Sequence, residues 1–78
     1  MRYQTKGTCA SAIDIEVNNG IIESVTFMGG CNGNLQGISN LVKGMKVEDA
    51  ISKLKGIRCG FKSTSCPDQL AQALESMQ

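Results

Sequence analysis

The sequence predicts an α+β domain, an antiparallel sheet of two or three strands packed against three helices. Three observations carry that prediction. Ile13, Ile15 and Val17 alternate with Asp14 and Glu16, and a second β-branched run follows at Ile21–Met28. Asn18-Asn19-Gly20 sits between the two runs, and Asn-Gly there signals a tight hairpin. Three later segments repeat apolar residues at helical spacing. The 78 residues make one domain, 1–78, with no internal repeat, linker or low-complexity segment.

Residues 1–10 are mixed, with Tyr3 opening a short edge strand and Gly7-Thr8 turning the chain toward Cys9. A two-stranded hairpin is marginal alone, so its apolar face is expected under the helices. Gly29-Gly30-Cys31-Asn32-Gly33 ends the return strand with a sharp bend, and it lacks the Gly-Lys-Ser/Thr of a phosphate loop.

Leu35, Ile38, Leu41, Val42 and Met45 predict a first helix over Asn34–Met45, broken at Gly44. Val47, Ala50, Ile51 and Leu54 predict a second, with Glu48 and Asp49 in its first turn and Gly56 just past its end. The last helix, Pro67–Met77, is expected to bury Leu70, Ala73, Leu74 and Met77 and to show Gln69, Gln72 and Glu75 to water. Pro67 suits a first turn, and Cys66 is the N-cap or its neighbour, with Ser65 and Thr64 as alternative caps. Asp68 complements the helix dipole.

Composition narrows the function. The chain is 41% hydrophobic but has two Phe, one Tyr and no Trp, so the core is aliphatic. Eight Lys+Arg against seven Asp+Glu leave a net charge of +1, which argues against a nucleic-acid or membrane surface. The first residues carry no apolar signal segment, so a cytoplasmic location is expected. In a reducing compartment, four cysteines point to metal or redox chemistry more than to structural disulfides. As disulfides they would allow about three pairings, among which sequence does not choose. The absence of histidine excludes mixed Cys/His zinc sites and Cys–His nucleophiles.

The candidate site is the set Cys9, Cys31, Cys59 and Cys66. All four fall at junctions between elements. The two flanking the hairpin belong at the same end of it, and the short Cys59–Cys66 segment can fold its ends together. A sulfur at the start of the last helix faces unpaired backbone N–H groups, which suits a thiolate ligand. Lys6, Lys55, Arg58 and Lys62 lie near the cysteines and either soften a negative cluster or simply solvate the surface. Against the metal stand small buried thiols of structural role, since no C-x-x-C pair is present. No general base is poised beside a nucleophile, so no catalytic residue is assigned.

Thr64-Ser65-Cys66-Pro67-Asp68 reads TSCPD, and together with Gly29–Gly33 the chain resembles the small stand-alone TSCPD-domain family. Related domains close some ribonucleotide reductases. The resemblance implies that the four cysteines are the family's metal-ligand candidates, and the partner expected is a ribonucleotide reductase or another protein. Nucleotide reduction itself needs a far larger radical barrel, so no enzymatic activity is expected of this chain alone.

A second, more distant resemblance is to U-type iron–sulfur cluster scaffold proteins. It is carried by Cys9, Gly20-Ile21-Ile22-Glu23, Gly30-Cys31-Asn32-Gly33, Lys43-Gly44, Glu48-Asp49-Ala50 and Ser65-Cys66. It implies that family's fold, with Cys9, Cys31 and Cys66 as scaffold cysteines. Cys59 is additional, Ala10-Ser11 replaces the aspartate after the first cysteine, and the chain is shorter before Cys66.

The function expected is a cysteine-rich structural or regulatory module holding zinc through four thiolates. The alternatives are an iron–sulfur scaffold or carrier on the same residues, a thiol reductant cycling Cys59–Cys66 for a reductase, and an interaction module without metal.

Overall fold

The computed structural model describes residues 1–8, 10–30, 32–58 and 60–77, so that Cys9, Cys31, Cys59 and Gln78 lie outside the described residues. Strand β1 (Arg2–Gln4) precedes β2 (Ala10–Asn18) and β3 (Ile21–Gly29). β2 and β3 pair antiparallel from Asn18 opposite Ile21 to Ala10 opposite Gly29. Asn19 and Gly20 turn the chain with φ of 54° and 76°, the left-handed pair that matches strand twist.

Tyr3 pairs with Ile13, so the edge strand is real and the sheet order is β1-β2-β3. Arg2 grips Asp14 on the neighbouring strand through two hydrogen bonds, Nε to Oδ1 at 2.8 Å and Nη2 to Oδ2 at 3.1 Å. Two register shifts, between Ala10/Ala12 and Glu16/Val17, insert one residue each and bend the hairpin.

Three helices follow, α1 (Asn32–Val42), α2 (Val47–Leu54) and α3 (Cys66–Ser76). α1 packs on β3 and α2 packs on α3. Ile13, Ile15 and Ile22 from the sheet meet Val42, Val47, Ala50, Leu70, Ala73 and Leu74 from the helices in one aliphatic core. Full burial of each large side chain contributes about 1.5–3 kcal/mol.

The structure differs from expectation at three places, each with a physical reason. α1 stops at Val42 instead of Met45, because the chain leaves the helix to cover the start of β3. Gly44 N–H donates to the Ile22 carbonyl at 2.8 Å, Ile22 N–H to Met45 at 2.9 Å and Val47 N–H to Gly20 at 2.9 Å. Leu41 is 77% exposed. The buried stripe runs Leu35, Ile38, Val42, and Leu41 stands about 100° off Val42 on the helix. Met77 follows the last residue of α3 and is exposed, whereas Gln69 is buried and turned inward to hydrogen-bond. Among the described residues, no helix is long and apolar enough to cross a membrane.

Candidate functional site

The start of α3 is where the sequence motif becomes geometry. Ser65 is the N-cap, in an extended conformation, and its Oγ accepts the Asp68 N–H at 3.1 Å. That settles the three candidate caps in favour of Ser65 and makes Cys66 the first helical residue. Pro67 occupies the first turn, where its missing N–H leaves no carbonyl unpaired. The Ser65 hydroxyl also donates to the Ile57 carbonyl at 2.6 Å, so one side chain caps the helix and ties down the preceding loop.

Asp68 is the centre of the network. It is buried, and both oxygens of its carboxylate accept hydrogen bonds: Oδ1 from the Gly56 N–H at 2.7 Å, and Oδ2 from the Thr64 hydroxyl and, at 2.9 Å, the Gln72 amide. The Thr64 hydroxyl, followed by the Gly56 N–H, holds this carboxyl below the usual carboxylate range despite burial, which acts the other way. The Gln72 amide and the charge of Lys55 act in the same lowering direction. Lys55 is itself engaged, its Nζ 2.8 Å from Glu75 Oε2.

The network reaches a third segment. Gln69 Nε2 donates to Thr64 Oγ1 at 3.0 Å, and Gln69 Oε1 accepts the backbone N–H of Lys6 at 3.2 Å. Gly7 lies so close to the Thr64 methyl that a Cβ there would come within 3.2 Å of it. The β1–β2 connection is thereby seated on the start of α3. Every polar side chain buried here has a hydrogen-bond partner among the described residues.

Thr64, Ser65, Pro67 and Asp68 are thus each used in shaping the chain. Cys66 is the exception: it is half-buried, and among the described residues its thiol has no disulfide or hydrogen-bond partner. A sulfur left available beside a fixed helix start is suited to ligation.

Of the four predicted site residues, the structure places Cys66, while Cys9, Cys31 and Cys59 lie outside the described residues. The chain adjoining them is described. Ala10 stands opposite Gly29 at one end of the hairpin. Lys6 and Gly7 rest on Gln69 and Thr64, and Gly56 and Ile57 are bound to Asp68 and Ser65. Among the described residues, no group of three or more Cys, Asp or Glu side chains is arranged to hold a metal. Arg58 and Lys62 are exposed, as is Phe61.

Sequence reasoning assigned Asp68 to the helix dipole and Gln69 to solvent, and so missed the network. The Ser65-x-x-Asp68 spacing, a variant of the capping box, was the available local signal. Nothing local marked Gly56, Gln69 or Lys6, because their bonds join residues far apart in the chain.

No curated protein and no solved structure matches the chain. The TSCPD domain matches residues 1–78. With a match over the whole chain, around a motif whose side chains build the start of α3, this protein belongs to the TSCPD-domain family.

Proposed function

We propose that the protein is a metal-binding module that holds zinc through Cys9, Cys31, Cys59 and Cys66, with a structural or regulatory role. The observation that carries the reading is the division of labour within Thr64–Asp68. Four of the five residues are spent on local structure, and the one soft donor is engaged by no described residue.

The donor set supports the same reading. A chain with four cysteines and no histidine offers an all-sulfur site, the chemistry of structural zinc and of iron–sulfur clusters. The described neighbours of the other three cysteines also favour it: the segments ending at Gly7 and Ile57 converge on the start of α3, and Ala10 and Gly29 are paired. Zinc closed by four thiolates has no open position for water, so its contribution is to fix the loops around it, not to hydrolyse. The partner belonging to this proposal is an enzyme of nucleotide metabolism, as the family's association with ribonucleotide reductases suggests.

Serine substitution of each cysteine tests the ligand set. Zinc retained through gel filtration is expected to fall sharply in all four variants, Cys59→Ser included. Retention in Cys59→Ser with loss in the other three would replace the four-sulfur site by a three-cysteine scaffold site.

A further inference from the structure

The clasp at the start of α3 has reach beyond helix capping. Asp68 binds the residue just past α2, three positions before Cys59, through the Gly56 N–H at 2.7 Å. Ser65 binds the next residue, Ile57, at 2.6 Å. Through Thr64 and Gln69 the same cluster holds Lys6 and Gly7, which precede Cys9. Cys66 itself lies between Ser65 and Asp68. Three of the four cysteine-bearing segments therefore meet on one set of hydrogen bonds, and every one of those bonds is made by side chains that are not metal ligands.

We infer that Asp68 is a positioning residue: with Thr64 and Ser65 it assembles the segments leading to Cys9, Cys59 and Cys66 before a metal arrives. The inference rests on the metal-binding reading above and adds an order of events to it. Small zinc domains commonly fold only when the metal binds, so that binding must also order the chain. Here the aliphatic core of Ile13, Ile15, Leu70 and Leu74 and the clasp are both built from side chains other than cysteine. Binding energy that would otherwise order the loops goes into affinity. Outer-shell groups that orient metal ligands commonly change affinity by about 10–100-fold when removed.

The variants follow from the bonding. Asp68→Asn places an amide N–H₂ where Oδ2 now accepts two donors, Thr64 and Gln72. Thr64→Val removes the hydroxyl between Asp68 and Gln69, and Thr64→Ser keeps it.

The experiment measures two quantities on the full chain. One is amide hydrogen exchange at Gly56 in reduced, metal-free protein. The other is zinc affinity by competition with a chromogenic chelator. We expect the Gly56 amide to be protected in metal-free wild type and unprotected in Asp68→Ala, which removes the Oδ1 acceptor. Zinc affinity is expected to fall about 10-fold or more in Asp68→Asn and Thr64→Val and to stay near wild type in Thr64→Ser. If Asp68→Asn does not fold, the Thr64 pair carries the test. A purely structural clasp would destabilise the metal-free and zinc-bound forms equally and leave affinity unchanged. That result, or free exchange at Gly56 in metal-free wild type, overturns the inference and leaves the zinc reading standing. A wild-type chain that takes up no zinc ends both.

Discussion

The carboxylate of Asp68 accepts the backbone N–H of Gly56 at 2.7 Å, joining the residue just past α2 to the first turn of α3. Lys55 leaves the helix in an extended conformation (φ −65°, ψ 133°), which turns the Gly56 N–H away from α2, and Gly56 itself has φ of 88°. This bond explains why an acidic residue in a helix's first turn is buried. Asp68 is less a partner of the helix dipole than a connector between two helices packed on each other.

Gly56→Ala tests the backbone half of that relationship. A Cβ at this position meets nothing within 4 Å, so its cost is confined to the left-handed backbone, about 1–2 kcal/mol. Urea unfolding of the metal-free protein should show a loss of that size. An unchanged midpoint would mean that the positive φ is not required.

Ser65→Ala removes an N-cap and a donor to the Ile57 carbonyl together. Loss of the cap alone costs about 0.5–2 kcal/mol, and the second bond should place this variant at the upper end. Ser65→Thr retains the hydroxyl and is expected to recover most of the loss in thermal unfolding.

Acid should weaken the metal-free protein through Asp68. Its carboxyl titrates lower in the folded protein than in the unfolded chain, so its stabilisation is complete above the unfolded value of about 4. That stabilisation is lost as pH falls through the lower folded value. Lys55 is the charged group that acts on it from α2, and it stays protonated throughout this range. Unfolding midpoints between pH 7 and pH 2 should drop more steeply for wild type than for Asp68→Asn. Parallel curves would show that Asp68 does not contribute. Asp14, held low by the Arg2 hydrogen bonds, acts in the same direction at an exposed site.

Two leucines separate pattern from packing. Leu70 is fully buried and Leu41 is 77% exposed, although both fall on apolar stripes in the sequence. Leu70→Ala should cost about 2–5 kcal/mol in chemical denaturation, and Leu41→Ala less than about 0.5 kcal/mol. Similar losses for the two would contradict the placement of α1.

The sheet and helices were legible because their signals are local. Alternation at Ile13–Val17, the Asn19-Gly20 turn and the Val47–Leu54 stripe each occupy a few consecutive residues. The end of α1 was half legible: Gly44 marked a break, but the hydrogen bonds that join Gly44, Met45 and Val47 to Ile22 and Gly20, more than twenty residues earlier, left no local sign. The same limit hid the clasp: Gln69 reads as a solvent-facing helical residue until Lys6 is brought to it. At the site, the type of donor was legible from four cysteines without histidine, and so was the placement of Cys66 at a helix start. What shapes that start was only half legible, since Ser65 caps within its own segment while Asp68 reaches back to Gly56.

Elemental analysis beside an absorption spectrum reads the metal itself. The protein would be purified without oxygen or chelator. About one zinc per chain and no visible colour are expected. Iron with sulfide and a brown colour would contradict zinc and assign the cysteines to a cluster. Protein free of stoichiometric metal would contradict the metal-binding function altogether.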